Sequence, residues 1–149
     1  MDKKEAIHRL QQLCSRSEKC ISDVTTKLRL WNAEKHTEEI VDLLIKEKYI
    51  DEQRYSNAFV NDKYKLSKWG RIKIRYSLKS KGIPDEVVEE ALQQVDVELY
   101  KKTVFDEFEK KWNKINIPEK RRNSLFSFCA QRGYEQELIY SWMNEKNIS

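Results

Sequence analysis

The amino-acid sequence predicts an all-α protein in which three tandem three-helix repeats form an elongated, curved array. Apolar side chains recur every three, four or seven residues along most of the chain, as they do on the buried faces of amphipathic helices. The 149 residues include only three glycines and two prolines, too few for the many turns of an all-β protein. Two helix-ending glycines with similar flanking residues also lie 51 positions apart, which indicates a repeat.

The apolar periodicity predicts nine helices of roughly 9–16 residues each and no alternating strand. Each helix is expected to bury one face, and a chain of this length can bury a core. The residues predicted to form the buried faces are, in chain order, Ala6, Leu10 and Leu13; Ile21, Val24 and Leu28; Ile40, Leu44 and Tyr49; Tyr55, Phe59 and Leu66; Ile74 and Leu78; Val87, Ala91 and Val95; Val104, Phe108 and Trp112; Leu125 and Cys129; and Leu138 and Trp142.

The residues that end helices show the period of the repeat. Gly82 and Gly133 each follow an apolar residue of the preceding helix by four positions, and they are 51 positions apart. Asn32 takes the same place in an earlier copy if three residues are inserted after it. Glycine and asparagine adopt the left-handed conformation of a helix C-terminus most easily, so we expect that conformation at all three positions.

Helix starts are predicted where a capping residue precedes acidic side chains, as at Thr37, Asp51 and Asp96. Pro84 can lie in a first turn, where its missing N–H costs little. Stacked repeats of this kind form an extended surface that usually holds a large partner. The three predicted repeats are residues 1–50, residues 51–96, which form a basic central module, and residues 97–149.

Composition restricts the class of protein. The net charge of +4 comes from 29 basic and 25 acidic residues and is too small to identify a partner by itself. No apolar run approaches the roughly 18–20 residues of a membrane span, and the first ten residues lack a signal-peptide core. We therefore expect a cytoplasmic monomer that does not bind membranes. Cys14, Cys20 and Cys129 lack metal-binding spacing and are expected to be buried, reduced thiols.

The sequence offers no recognisable catalytic constellation. His8 and His36 lie in different predicted elements, and neither belongs to a zinc-binding motif. The glycines form neither a dinucleotide-binding motif nor a phosphate loop, and no GxSxG nucleophile motif occurs. We predict that the protein is not an enzyme and that it has no catalytic residue, metal site or cofactor.

Charge is sharply sorted in the centre of the chain. Residues 63–82 hold eight Lys or Arg and no acid, whereas residues 83–98 hold six acids and no base. Arg71, Arg75 and Lys79 recur every four residues and should form one stripe on a helix, which suits a phosphate backbone or an acidic protein groove. The alternative is a solvated helix with cations near its C-terminal end, which explains Lys79 and Lys81 but not Arg71. The candidate binding residues are Lys63, Lys65, Lys68, Arg71, Lys73, Arg75, Lys79 and Lys81.

Two neighbouring features leave alternatives open. Trp69 lies among the basic residues, where an aromatic ring can stack on a base of a single strand, but a tryptophan before a turn also suits packing. Lys120, Arg121 and Arg122 form a short basic cluster at the head of a later helix. That cluster is either a solvated group or an extra contact on the same surface.

Residues 49–92 contain an acid followed by an arginine and an aromatic residue, a glycine that precedes a basic helix, and a closing Lys-Gly-Ile. In this pattern they resemble the RecX family, the bacterial regulators of the RecA recombinase. The matching positions are Ile50, Asp51, Arg54, Tyr55, Ala58, Phe59, Gly70, Arg71, Lys73, Ile74, Arg75, Leu78, Lys81, Gly82 and Ile83.

The resemblance is weaker towards both ends of the chain. The last 50 residues match only by helical pattern and by the sequence RGY at 132–134. Three departures occur, because the sequence RLWN, Ser77 and Arg71 stand where many members have a glycine, a glutamate and a proline, respectively. Ser77 lacks the negative charge of glutamate, so the predicted binding stripe should carry more net positive charge here than is typical of the family. Residues 13–28 resemble an N-terminal stretch of the family, with matches at Arg16, Ser17, Lys27 and Leu28.

The resemblance implies an all-α fold of tandem three-helix repeats and a non-catalytic protein. It further implies binding to the RecA nucleoprotein filament, with inhibition of the recombinase as the usual outcome, and for some members binding to single- or double-stranded DNA. It implies no cofactor. The alternatives are a stand-alone basic helical module that binds DNA without a dedicated protein partner, and a scaffold that uses its helices to hold another protein.

Overall fold

Helices account for the regular structure of residues 1–148, the part of the chain that the computed structural model describes. No strand occurs among these residues, so the predicted all-α class is confirmed, as is the number of helices. The α-helices are α1 (Lys3–Arg16), α2 (Ile21–Leu30), α3 (Thr37–Lys46), α4 (Glu52–Lys65), α5 (Arg71–Ser80), α6 (Asp85–Leu92), α7 (Val97–Lys114), α8 (Pro118–Arg132) and α9 (Gln136–Glu145). A 3₁₀ turn at Glu34–His36 precedes α3.

The chain forms two compact units, each assembled from separate stretches of sequence. The first unit contains residues 1–59 and 78–91, and the second contains residues 60–77 and the chain from residue 92 onwards. Helices α4 and α5 therefore each contribute to both units. The predicted repeat boundaries fall in the short intervals between α3 and α4 and between α6 and α7, and the division into three repeats remains a prediction from the sequence.

The core of the first unit is made by the helices that begin the chain. Leu10 of α1, Leu28 of α2 and Leu44 of α3 are almost fully buried against one another. Burying a leucine or isoleucine side chain stabilises the fold by about 1.5–3 kcal/mol, so this cluster contributes much of the driving force for packing. The same cluster also contains Ala6, Val24, Ala33, Ile40, Val41 and Ile50.

The core of the second unit is aromatic. The ring of Phe108 on α7 packs edge-on against Tyr134 and Trp142, at centroid distances of 5.7 Å and 6.1 Å. Trp112 packs on Trp142 in the same way, at 5.6 Å. Edge-to-face pairs of this kind add about 0.5–1.5 kcal/mol each beyond the area they bury, so they help to hold α7 against α9.

The helix-ending turns occur in three similar copies. Asn32, Gly82 and Gly133 have φ angles of 56°, 78° and 78°, which confirms the predicted left-handed conformation. In each copy the next residue donates its N–H to a carbonyl five positions earlier. These bonds are Ala33 to Leu28 (2.8 Å), Ile83 to Leu78 (3.2 Å) and Tyr134 to Cys129 (3.0 Å).

Two of the three predicted caps are confirmed. Asp51 accepts a hydrogen bond from the amide of Arg54 at 3.0 Å, and Asp96 accepts one from the amide of Leu99 at 3.1 Å. The prediction for Thr37 is wrong, because Thr37 is already the first residue of α3. Its hydroxyl instead donates back to the carbonyl of Glu34 at 2.7 Å, since the 3₁₀ turn places that carbonyl within reach.

Most of the predicted apolar faces are buried, with two instructive errors. Leu66 is 77% exposed because α4 ends at Lys65, so the helical period no longer determines where Leu66 lies. Val87 is only half-buried, whereas its neighbour Val88 is fully buried and faces the core with Ala91. Cys20 and Cys129 are buried free thiols, as predicted, and Cys14 is half-buried. Other predicted core residues that are half-buried are Leu13, Ile21, Tyr49, Phe59, Trp112 and Leu138.

Candidate functional site

Most of the predicted basic residues lie in the second unit, around the turn between α4 and α5. Six of the eight, from Lys63 to Arg75, occupy the end of α4, the turn and the start of α5. The turn contains Lys68 in the left-handed conformation, with a φ of 61°. The other two, Lys79 and Lys81, belong to the first unit.

Two of these cations lie over the indole ring of Trp69. The ammonium groups of Lys63 and Lys73 lie 4.5 Å and 4.2 Å from the centroid of its ring. An ammonium over an indole is attracted by the ring electrons, with a gain of about 0.5–1 kcal/mol at exposed sites. Trp69 therefore keeps two positive charges at the turn, and its ring is itself half-buried there.

Two glycines allow the turn to approach the end of α8 very closely. The amide of Gly70 donates to the carbonyl of Arg132 at 2.7 Å, and the amide of Ile72 donates to the carbonyl of Gly133 at 3.0 Å. A Cβ atom on Gly70 would overlap the Gly133 carbonyl. A Cβ on Gly133 would lie 2.5 Å from the amide nitrogen of Lys73. The two backbones can meet only because neither residue has a side chain.

Tyr134 fixes the same turn through a side-chain hydrogen bond. Its hydroxyl donates to the carbonyl of Lys68, which also lies 3.4 Å from a guanidinium nitrogen of Arg132. Burial raises the pKa of Tyr134 to about 12, so the hydroxyl keeps its proton at neutral pH and continues to donate. The left-handed lysine of the turn is thus held through its backbone carbonyl.

Arg71 is held by a hydrogen-bonded network at the start of α5. Its guanidinium lies 4.5 Å from the ring centroid of Tyr100, and its Nε donates to Oε2 of Glu135 at 2.5 Å. The Tyr100 hydroxyl accepts from the Arg71 amide at 3.0 Å and donates to Oε1 of Glu135 at 2.6 Å. Burial, together with the hydrogen bond to Glu135, raises the pKa of Tyr100. Glu135 therefore offsets part of the Arg71 charge, and the network fixes the orientation of the side chain.

The remaining basic residues of the second unit differ in exposure. Lys65 is exposed, with its ammonium 5.7 Å from the Tyr64 ring centroid. Lys68 and Lys73 are half-buried, and the Lys68 ammonium lies 3.4 Å from the carbonyl of Lys65. Arg75 is also half-buried on α5. The cationic surface of the turn is thus built mostly from lysines that the aromatic rings and the backbone partly support.

In the first unit, Lys79 and Lys81 each have an acidic partner. Lys79 lies 3.5 Å from Asp85, and both side chains are largely exposed. Lys81 lies 3.0 Å from Asp23 and contacts Tyr55. Burial acts to lower the pKa of Lys81, but the hydrogen bonds to Asp23 and Tyr55 outweigh it and raise the pKa. Lys81 is therefore charged and tied to its own unit.

The residues that hold this site are not evident from the sequence. Tyr100 and Glu135 are far from the basic run along the chain, and only Tyr134 lies in a segment with a sequence signal, the RGY at 132–134.

The basic cluster Lys120–Arg122 lies on α8, where the Nε of Arg121 donates to the Ile115 carbonyl at 3.0 Å.

Metal-ligand clusters and membrane-long helices are two kinds of feature that the described part of the chain lacks. Residues 1–148 contain no group of three or more His, Cys, Asp or Glu side chains that could hold a metal ion. None of their helices is long and apolar enough to cross a membrane.

Comparison with known families matches the centre of the chain to a family model. The model describes the second three-helix domain of RecX, and residues 51–92 match it. These residues include α4, α5 and α6, together with the turn that carries Trp69.

Two curated relatives extend the match beyond this domain. The regulatory protein RecX of Clostridium botulinum (strain Eklund 17B / Type B) is 35% identical over 109 residues, which cover 70% of this chain and 50% of that protein. The regulatory protein RecX of Clostridium beijerinckii is 31% identical over 139 residues, covering 91% of this chain and 63% of that protein. The chain thus spans about half to three-fifths of the length of these relatives.

Solved structures share the fold. A crystal structure of regulatory protein RecX aligns with a TM-score of 0.86 and 22% identity, covering 95% of this chain and 72% of that one. The crystal structure of RecX from Lactobacillus salivarius aligns with a TM-score of 0.81 and 22% identity, covering 95% of this chain and 94% of that one.

Proposed function

Because the chain belongs to the RecX family, we propose that it is a non-catalytic regulator that binds the RecA–DNA filament and inhibits the recombinase. The observation that carries this proposal is the uninterrupted basic segment of residues 63–82, which falls inside the matched domain and contains no acid. The DNA of a nucleoprotein filament carries phosphates, which attract such a segment, and an acidic groove on the protein would attract it as well. The proposed location is the cytoplasm, where RecA acts.

The eight basic residues divide into two proposed roles. Lys65 is exposed, and the half-buried Lys63 and Lys73 lie over the ring of Trp69; these three cations are the ones proposed to contact an anionic partner. Arg71 and Lys81 are bound by Glu135 and Asp23, and they orient the elements from which the others project. Lys68, Arg75 and Lys79 complete the proposed contact set.

The test compares RecA-catalysed ATP hydrolysis on single-stranded DNA with and without the protein. We expect the wild-type chain to inhibit hydrolysis, and the variant Lys65→Glu/Lys73→Glu to need at least about tenfold more protein for the same inhibition. The removal of two cations and the repulsion introduced by two acids both act in that direction. The matched control is Lys110→Glu/Lys114→Glu, which makes the same charge change at exposed positions of α7.

Two results would contradict the proposal. If RecA activity is unchanged across a wide excess of the wild-type protein, the chain is not a RecA regulator. If the α7 control loses inhibition as strongly as the Lys65/Lys73 variant, only total charge matters and the turn is not the binding site. Binding of DNA alone, with a steep salt dependence and no effect on RecA, would instead favour a stand-alone DNA-binding module.

A further inference from the structure

A second basic surface lies in the first unit, in a groove between α1 and α2. The groove has a volume of about 260 Å³. Helix α1 contributes Arg9 and Arg16, α2 contributes Lys27, and the C-cap residue that follows α2 is Trp31. Gln12 and Leu13 complete the lining, which contains no acidic side chain.

The lining residues share one face on each helix. Arg9, Leu13 and Arg16 are spaced by four and three positions, and Lys27 and Trp31 are spaced by four. Side chains at these spacings lie above one another on a helix surface. The arrangement thus places a row of cations along α1 opposite a cation and an indole on α2.

The charges of the groove are largely uncompensated. Among residues 1–148, neither Arg16 nor Lys27 forms an ion pair, and Arg9 has only an exposed contact of 3.5 Å with Glu5. Two acids of the same unit are already engaged elsewhere, Glu18 by Arg54 and Asp23 by Lys81. An anion in the groove would therefore meet cations that need not give up another partner.

Trp31 adds an aromatic surface to this positive groove. The ring is half-buried, and the Arg9 guanidinium carbon lies 5.8 Å from its centroid. The preference for cations near helix C-termini explains Arg16 and Lys27, which lie in last turns, but it explains neither Arg9 nor the indole. Cations beside an aromatic ring are the combination that binds the phosphate and the base of one nucleotide together.

We propose that the α1–α2 groove is a nucleotide-binding site, in which Arg9, Arg16 and Lys27 bind the phosphate and Trp31 contacts the base. The volume is slightly below the roughly 300 Å³ at which pockets for small ligands begin, so the groove suits a single nucleotide unit. That unit is either free or part of a single strand. The groove belongs to the first unit and the Trp69 turn to the second, and the proposed binding does not depend on RecA.

The test uses the full chain labelled with 5-fluorotryptophan, whose four tryptophans give separate ¹⁹F resonances that single Trp→Phe variants assign. The probes are inorganic phosphate, AMP and a short oligothymidylate. We expect AMP or the oligonucleotide to shift the Trp31 resonance, and a shift by only one of them identifies the source of the nucleotide. Arg16→Gln/Lys27→Gln should weaken this binding at least about tenfold, and log K should depend less on salt by about 0.7 for each phosphate that the variant no longer neutralises.

The matched control is Arg29→Gln/Lys35→Gln, which removes two exposed cations of the same unit that do not line the groove. It should change the affinity less than twofold. The proposal fails if neither AMP nor the oligonucleotide moves the Trp31 resonance, if inorganic phosphate moves it equally well, or if the two double variants lose affinity to the same extent. All of these results leave the inhibition of RecA to be judged separately, because no RecA is present.

Discussion

The turns at Gly82 and Gly133 have the same backbone but different surroundings. Both glycines have a φ of 78°, and both are followed by the same hydrogen bond to a carbonyl five positions earlier. No heavy atom lies within 4 Å of the place where a Cβ on Gly82 would be, whereas a Cβ on Gly133 would overlap Lys73. The repeat therefore preserves a local way to end a helix, and only one copy uses it to bring two backbones together.

The residue that follows each glycine shows the same contrast. Ile83 and Tyr134 are both buried, with 3% of their surface exposed. Ile83 fills space, but Tyr134 also donates its hydroxyl to the Lys68 carbonyl. The second turn therefore carries a titratable group that supports the basic turn, whereas the first has none at this position.

The largest expected effect comes from Gly133→Ala. The new methyl group would meet Lys73, and alanine is strained at this φ, so overpacking and backbone strain should together cost about 3–4 kcal/mol. Urea unfolding followed by circular dichroism measures the decrease in stability. A decrease no larger than that of Gly82→Ala would contradict the contrast between the two turns.

Alkaline pH should destabilise the protein through the second turn. Burial raises the pKa of Tyr134 to about 12, above the ordinary value of about 10. The free energy of unfolding therefore keeps the full contribution of the protonated Tyr134 below pH 10. It falls as the pH rises towards 12, by about 2–3 kcal/mol in all. Burial also raises the pKa of Cys129 to about 11, which adds loss in the same direction at slightly lower pH.

Unfolding by urea at intervals from pH 8 to pH 11.5 measures this dependence. Tyr134→Phe keeps the buried ring and removes the titrating hydroxyl, so its stability should fall less steeply above pH 10. An equally steep fall in this variant would show that other groups cause the alkaline loss.

The smallest expected effect comes from Gly82→Ala. Open space surrounds this position, so only the positive φ is unfavourable, and the cost should be about 1–2 kcal/mol. The same urea assay measures it. Gly82→Asn is the control, because asparagine tolerates the left-handed conformation and already occupies the corresponding position 32; it should cost less than alanine.

Local features of the fold could be predicted from the sequence. Helical periodicity, the left-handed Asn32 and Gly82, and the caps at Asp51 and Asp96 depend on residues within one turn of each other. The errors arose where local rules stop, as at Leu66, just beyond the end of α4. The predicted buried face of α6 is wrong by one residue, because Val88 and not Val87 is buried. Packing against other helices decides which of the two neighbours faces inward.

The candidate site could be predicted only in part. The sequence shows the cluster of charge and the tryptophan within it, because these are contiguous. It does not show that Glu135 holds Arg71 across 64 positions, or that Tyr134 holds Lys68 across 66, since no local pattern links such residues. For the groove beside Trp31, the spacing of the basic residues on α1 is visible in the sequence. That α2 packs opposite them depends on tertiary structure and is not.

The approach of Gly70 to Gly133 has a consequence for the order of folding. These residues are 63 positions apart, so the chain must bear the entropy cost of closing a long loop before their contacts can stabilise it. The Gly82 turn, by contrast, forms within the end of a single helix. We therefore expect the Gly70–Gly133 contacts to form late in folding, and contacts that form after the main barrier chiefly govern the rate of unfolding. The lifetime of the basic turn in its native shape therefore depends on two residues that carry no charge and no side chain.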